Sequence, residues 1–187
     1  MKPQSIQQRT INSIATLFDR DEMLFRINAS ERAITHWLAY YMVRRFSGWD
    51  VDCEYNRDGH DHKKLVKDLE PLRESEEDSV YPDIIVHHRT KRFQPHNLLV
   101  IEVKKTTNTT SRDIDLTKLR IFTTDYHRRS MNYHYQLGLF LEVGAWPTKP
   151  SHGVLMATGI WFGEGQQLDA DQQVLCTKSF DYRREER

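Results

Sequence analysis

The sequence predicts an α/β fold in which a mixed β-sheet is flanked by helices. Two amphipathic helical patterns, over about residues 30–46 and 113–126, alternate with short runs that are dense in Val, Ile and Leu. In chain order the predicted elements are helix, strand, strand, strand, helix, strand and strand. Such an order buries its apolar faces as a sheet covered by helices.

Each element has its own sequence signal. A polar helical lead is predicted over about residues 5–25, and Asn28 or Ser30 supplies the start of the next helix. Apolar residues then recur at helical spacing until Phe46, and Gly48 is expected to end that helix. Strands are predicted over residues 51–55, 81–87, 97–104 and 133–143, and the C-terminal strands are expected within residues 153–177.

The chain of 187 residues is long enough for one ordinary domain and short for two. We therefore expect one domain over residues 1–187, with its core at about residues 30–143. No apolar run approaches the roughly 18 residues that a membrane span needs, and the N-terminus lacks the apolar block of a secretory signal. These features predict a cytoplasmic protein that does not associate with a membrane.

Charge is unevenly distributed although the net charge is zero. Acidic residues predominate over residues 65–78, whereas residues 87–129 carry ten bases against four acids. Most of these bases are expected to be solvated surface charges, and the alternative is a patch that neutralises phosphates. The residues assigned to that alternative are Lys105, Arg112, Lys118, Arg120, Arg128 and Arg129.

The most informative segment is LLVIEVKK, residues 98–105. Successive side chains of a strand alternate between faces, so Glu102 and Lys104 lie on the same face. Two ionisable groups at the end of a buried strand need partners, because an unpaired buried charge is costly. A second apolar strand begins nineteen positions earlier at Asp83, and if the strands are neighbours Asp83 and Glu102 converge. Such an oxygen-lined site suits Mg²⁺.

Pro82-Asp83 together with Glu102-Val103-Lys104 resembles the signature of the PD-(D/E)xK nuclease superfamily, the fold of many restriction and repair endonucleases. The predicted element order also resembles the restriction endonuclease-like αβββαβ core. The resemblance implies that Asp83, Glu102 and Lys104 are catalytic and that Asp83, Glu102 and Val103 bind Mg²⁺ or Mn²⁺. The structural alternative leaves Glu102 and Lys104 as a salt bridge and Asp83 as a turn residue.

Two further carboxylates are candidates for the metal site. Glu31 is predicted on the inner face of the first core helix, where the resemblance implies an auxiliary carboxylate. Glu54 either adds a metal ligand from the first strand or faces solvent together with Asp52, and the sequence leaves both readings open. The segment Asp115–Leu119 opens the helix after the signature, where relatives of this kind place polar residues that face the active site or DNA.

These features predict a Mg²⁺- or Mn²⁺-dependent nuclease that hydrolyses phosphodiester bonds in nucleic acid, with DNA as the expected substrate. The alternative is a non-catalytic nuclease-fold protein that serves as a nucleic-acid-binding or complex-assembly subunit. A homodimer would suit cleavage of both strands of a duplex, although no segment of the sequence identifies an interface.

Overall fold

The computed structural model describes residues 1–55, 57–58, 61–62, 81–89, 91, 95–124, 134–149 and 152–181. The N-terminal lead forms two helices, α1 (Pro3–Arg20) and α2 (Glu22–Arg26), and not the single helix predicted. Pro3 stands in the first turn of α1, where its missing N–H costs nothing. Ile6, Ile14 and Leu17 recur along one side of α1 and are fully buried.

Helix α3 (Glu31–Arg45) begins where the sequence predicts. The hydroxyl of Ser30 caps it by accepting a hydrogen bond of 3.3 Å from the backbone N–H of Ala33. Gly48 follows the helix with a φ of 85°, a left-handed conformation that glycine adopts without strain. The buried side of α3 carries Ile34, Leu38 and Met42.

The main sheet has seven strands: β1 (Asp50–Cys53), β4 (Ile84–His87), β5 (Asn97–Lys105), β6 (Leu137–Lys149), β7 (His152–Gly163), β8 (Gln166–Gln167) and β9 (Gln173–Asp181). Two short strands, β2 (Arg57–Asp58) and β3 (Asp61–His62), form a separate hairpin. The hairpin and β8 were not predicted. Strands of two residues are too short to show a period, which explains why the sequence did not reveal them.

The order of the main sheet is β1-β4-β5-β6-β7-β8, and β9 also pairs with β7. Strands β5 and β6 are parallel, and helix α4 (Asp113–Thr123) lies between them in sequence. The remaining pairs in this sheet are antiparallel. The protein is therefore α/β with a mixed, mostly antiparallel sheet, and this part of the predicted fold class is confirmed.

Helices cover both faces of the sheet. On one face, Leu99, Ile101 and Val103 of β5 belong to a core cluster with residues of α1 and α3. On the other face, Val100 belongs to a second cluster with Leu119 of α4. From Leu99 onward, the alternation of β5 assigns Glu102 and Lys104, like Val100, to the face that α4 covers.

The first strand departs from its prediction. It ends at Cys53, and Glu54 follows with a φ of 49°, so the alternation predicted over residues 51–55 stops there. Val51 packs against the cluster on the α3 side, whereas Tyr55 packs against the cluster on the α4 side. A strand over residues 51–55 would place Val51, Cys53 and Tyr55 on one face, and this prediction is wrong because the turn at Glu54 redirects the chain.

Two other predictions concern membrane spans and the charged segments of the chain. Within the described ranges, no helix is long and apolar enough to cross a membrane. The acidic segment at residues 65–78, together with Arg128 and Arg129, lies outside the described residues.

Candidate active site

The pairing of β4 with β5 sets Asp83 against Glu102. Ile84 pairs with Ile101 in the antiparallel register, so continuing by one residue places Asp83 opposite Glu102. Burial raises the pKa of Glu102 well above its usual value, and the charge of the Asp83 carboxylate adds to that rise. The structure therefore brings together the two carboxylates that the sequence singled out.

Asp83 is fixed by the backbone of the neighbouring strand. Its Oδ2 accepts a hydrogen bond of 2.7 Å from the backbone N–H of Val103. A strand residue directs its N–H and its C=O toward the same neighbour, so the carbonyl of Val103 is expected on the Asp83 side as well. The structure thus places the backbone of Val103 beside Asp83.

Lys104 is held by the start of α4. Its Nζ donates to Oδ2 of Asp115 at 3.0 Å and to the carbonyl oxygen of Ser111 at 3.2 Å. The Lys104 residue is only 6% exposed, so these contacts replace water that the ammonium would otherwise hold. A lysine bound at two points has a fixed position, and the cost of ordering it is already met in the folded protein.

A second lysine reaches the same carboxylates. Lys118 lies on α4 one turn after Asp115, and its Nζ is 3.4 Å from Oε2 of Glu102 and 3.6 Å from Oδ1 of Asp115. Burial by itself lowers the pKa of Lys118, but the charges of Glu102, Asp115 and Asp83 outweigh burial and raise it. Lys118 is therefore a charged ammonium within the site.

The carboxylates are only partly compensated by these two lysines. Three acids, Asp83, Glu102 and Asp115, face two ammonium groups. Burial raises the pKa of Asp83 to about 6, although the Val103 hydrogen bond and the Lys118 charge oppose that rise. Burial also raises the pKa of Glu102 well above its usual value, against the effect of Lys118. Both shifts indicate a site that would accept additional positive charge.

One acceptor in the site has no partner among the described residues. Oε1 of Glu102 is buried and receives no hydrogen bond from them, in a residue that is 3% exposed. A buried oxygen without a donor is costly, and it suits either a cation or a bridging water. The donor set is made only of oxygens, which is the set that Mg²⁺ prefers, and Mg²⁺ is commonly bound by one or two carboxylates with several waters retained.

Metal ligands are few in the part of the chain that the structure describes. Among these residues, no three His, Cys, Asp or Glu side chains form a group that could hold a metal ion. Two carboxylates by themselves could hold only a cation that keeps most of its water ligands.

Glu31 begins α3 and reaches the end of β5. Its Oε1 accepts from the backbone N–H of Lys105 at 2.8 Å and from Nδ2 of Asn108 at 2.9 Å. Its charge also contributes to the raised pKa of Asp83. Glu31 thus lies near Asp83 and joins the helix to the loop after β5.

Glu54 lies at the rim of a cleft beside Asp83. Its carboxylate pairs with Arg32 at 3.0 Å, and its side chain is 51% exposed, so of the two readings left open by the sequence the contacts favour the solvent-facing one. Asp52, its predicted companion, instead pairs with His87 and Arg89. The cleft has a volume of about 330 Å³ and is lined by Glu31, Arg32, Thr35, His36, Cys53, Glu54 and Asp83.

The basic residues predicted to contact phosphates have varied surroundings. The ammonium of Lys105 donates to the carbonyl oxygens of Asn28 at 3.2 Å and Ala29 at 2.7 Å. Arg112 pairs with the carboxylate of Glu142. The exposed Arg120 lies over the ring of Phe162, 5.8 Å from its centroid.

Sequence reasoning gave residues 115–119 only as a segment whose polar residues face the active site or DNA, without a role for Asp115 itself, and it placed Lys118 on the nucleic-acid surface. A signal was present, because the spacing of three residues puts both side chains on one face of α4. The same face also carries Leu119 and Phe122 at neighbouring positions, and both are buried. That apolar neighbourhood shows that the face is directed toward the sheet.

Protein-family models, curated proteins and solved structures yield no match to this chain. The functional conclusion therefore depends on the carboxylate and ammonium groups described above.

Proposed function

We propose that this protein is a Mg²⁺- or Mn²⁺-dependent nuclease that hydrolyses phosphodiester bonds, with DNA as its substrate. The observation that carries the proposal is the meeting of Asp83 and Glu102, from paired strands, on the face that also holds Lys104. The sequence signature, the element order of α3, β1, β4, β5, α4 and β6, and the parallel pairing of β5 with β6 support a restriction endonuclease-like core.

The residues of the chain have separable tasks in this reaction. Asp83 and Glu102, with the backbone of Val103, would hold the divalent ion, and the unpartnered Oε1 of Glu102 is available for it. The ion, when bound, supplies a more acidic water and offsets negative charge on the phosphate. Lys104 stabilises the negative charge that develops as water adds to phosphorus, because Asp115 and Ser111 fix its ammonium beforehand.

Asp115 acts through Lys104. In this ion pair, the side chain of Lys104 is 8% exposed and that of Asp115 is 18% exposed. Without Asp115, the ammonium would lose its closest charged partner and its fixed direction. We therefore regard Asp115 as a positioning residue and Lys104 as the catalytic one.

The test is cleavage of a supercoiled plasmid by the purified protein with Mg²⁺ or Mn²⁺. We expect Asp83→Asn and Lys104→Ala each to lower the rate by at least about a hundredfold, in the range reported for loss of one charge-stabilising group. Glu164→Gln and Lys91→Ala, at exposed positions, are the matched controls and should cut at the wild-type rate. Equal activity of all four variants would remove the proposal.

A second candidate has some support from the same contacts. Lys104, Asp115, Lys118 and Glu102 form a network of ion pairs among themselves, as a metal-free scaffold could also do. In that case the protein would be a non-catalytic nuclease-fold subunit that binds nucleic acid or assembles a complex. Mn²⁺ distinguishes the two, because a ligand that binds only the folded state raises the melting temperature, and a scaffold without a site would not respond.

A further inference from the structure

The solvent-facing side of α3 has an unusual composition for a surface helix. Its exposed residues between positions 31 and 45 include two arginines, one histidine, two large aromatic residues and one valine, and none of them is acidic. They are Arg32, His36, Trp37, Tyr40, Val43 and Arg44. Surface helices of soluble proteins usually present mixed charges on this side.

The aromatic residues of this surface are not needed to complete the core. Trp37, Tyr40 and Val43 are 37%, 46% and 52% exposed, while the opposite side of α3 already packs against α1 and the sheet. Single exposed apolar residues are ordinary, but here three of them adjoin along one helix. We call the six exposed residues of α3 the outer face.

Neighbouring side chains of the outer face are in contact. The Trp37 ring meets His36 edge-on with centroids 5.7 Å apart, and it meets Tyr40 in the same manner at 5.5 Å. Because these rings are nearly perpendicular, they cannot hold one base between them. The guanidinium of Arg44 lies 5.7 Å from the centroid of Tyr40, which supports the position of that cation.

The outer face is continuous with the candidate active site. Arg32 and His36 belong to it and also line the cleft that contains Asp83. Arg32 pairs there with Glu54, in an ion pair whose side chains are 85% and 51% exposed. Such an exposed pair is weak, and a phosphate can compete for the guanidinium. A path of cations and aromatic rings thus runs from the cleft along α3 to Arg44.

We infer that the outer face binds unpaired nucleotides adjacent to the site of cleavage, so that the substrate is single-stranded nucleic acid or a junction that contains it. The inference rests on the proposed nuclease function. Trp37 provides a ring on which a base stacks, and Arg32 and Arg44 contact phosphates before and after it. Stacking on a side chain requires an exposed base face, which a continuous duplex keeps within its own stack.

The experiment measures binding without cleavage. Fluorescence anisotropy is recorded in EDTA with a labelled oligothymidylate of about a dozen nucleotides and with a hairpin duplex of similar length. We expect the wild type to bind the single strand more tightly than the hairpin. Trp37→Ala should raise the Kd for the single strand by about tenfold, and Trp37→Phe should restore most of the affinity because it keeps a ring.

Arg44→Ala gives an independent measurement, since its side chain is exposed and its loss does not open the core. It should weaken binding and lower the salt dependence of the Kd, because one phosphate contact is removed. Arg20→Ala, at the exposed end of α1, is the matched control and should bind as the wild type does. Circular dichroism confirms that each variant is folded.

The outcomes separate this inference from the proposed function. Metal-dependent cleavage of the plasmid or of a labelled single strand by the wild type, combined with unchanged single-strand binding in Trp37→Ala and Arg44→Ala, would overturn the inference alone. Single-strand binding that depends on Trp37, without metal-dependent cleavage, would overturn the nuclease and leave the binding surface. As a third measurement, sedimentation compares the oligomeric state of the wild type with that of Trp37→Ala. If the wild type is a dimer and the variant is not, the outer face mediates self-association and the inference is wrong.

Discussion

The ammonium of Lys118 lies 3.4 Å from Oε2 of Glu102, in a region where that carboxylate is 4% exposed. This contact places a cation of the protein against the carboxylate proposed to bind a metal. The same ammonium is close to Asp115, and it opposes the rise that burial causes in the pKa of Asp83. Lys118 therefore stabilises the acids in the metal-free protein, and it would compete for Glu102 with the divalent ion that we propose.

Replacing Lys118 with methionine tests that competition. Lys118→Met keeps most of the apolar stem and removes the charge, so Glu102 loses the one ion pair that it makes with a described residue. Breaking one side of a buried pair costs about 3–5 kcal/mol, and partial exposure of Lys118 places the expected loss toward the lower end. The melting temperature without metal should fall, while the rise produced by Mn²⁺ should exceed that of the wild type.

Differential scanning fluorimetry with and without MnCl₂ provides both measurements for Lys118→Met. Lys91→Met, at an exposed position, is the control for loss of a lysine. An unchanged response to Mn²⁺ in Lys118→Met would show that the lysine and the ion do not share Glu102.

Asp115→Asn tests the positioning of Lys104. Asparagine keeps a hydrogen-bonding oxygen but lacks the charge that holds the ammonium at 3.0 Å. We expect a loss of stability of about 1–3 kcal/mol, and a fall in kcat larger than the rise in KM, since the interaction matters most as charge develops on the phosphate. Urea unfolding and steady-state cleavage measure the two effects.

Asp113→Asn is the matched control for Asp115→Asn. Asp113 lies in the same helical turn, and its carboxylate accepts a hydrogen bond from the hydroxyl of Ser111. A kcat of Asp115→Asn equal to that of Asp113→Asn would contradict the positioning role.

Two variants of Glu31 distinguish a structural role of this residue from a role in metal binding. Glu31→Gln keeps an oxygen that can accept from Lys105 and Asn108, whereas Glu31→Ala removes both hydrogen bonds. The glutamine variant should melt near the wild-type temperature without metal, and the alanine variant should melt lower. If Glu31 contributes to the metal site, both variants should bind Mn²⁺ more weakly, as isothermal titration calorimetry measures.

Wild-type Mn²⁺ affinity in Glu31→Gln would show that Glu31 does not bind the metal and only holds the loop after β5 in place. The comparison is informative because the two substitutions differ in hydrogen bonding but share the loss of charge.

The lowered pKa of Asp52 predicts how the free energy of unfolding changes in acid. Burial alone raises the pKa of Asp52, but hydrogen bonds from His87 and Arg89 outweigh it and hold the pKa well below its usual range. A lowered folded-state pKa adds stability that is fully present above the unfolded value of about 3.9 and is lost as the pH falls toward the folded value. The difference in unfolding free energy between wild type and Asp52→Asn should therefore shrink below about pH 4.

Urea unfolding of both proteins between neutral and acidic pH measures that difference. Raised pKa values, such as those of Asp83 and Glu102, change the free energy of unfolding with pH in the opposite direction. Subtracting the value for Asp52→Asn from that for the wild type at each pH removes the contributions of these two acids. A difference that stays constant through this range would show that Asp52 is not the group responsible.

Periodicity predicted much of the architecture. The Ser30 cap and the alternation of β5 were clear because each depends on neighbouring residues in the chain. The turn at Glu54 was not visible, because a positive φ at a non-glycine residue has no reliable sequence signal. The placement of Glu102 beside Lys104 followed from strand geometry, whereas the contact of Lys118 with Glu102 depends on how α4 packs over the sheet, which spacing alone does not specify.

A shift in register marks the far end of the β4–β5 pair, between Val86 and His87, beyond which the turn begins. This irregularity separates the carboxylates from the connection that joins their strands. Insertions in that connection would lengthen the turn and leave the register beside the acids unchanged. By contrast, a single residue added between Asp83 and Val86 would rotate Asp83 to the opposite side of the sheet. Natural variation in length should therefore be tolerated at the turn and excluded from the few residues next to the acids.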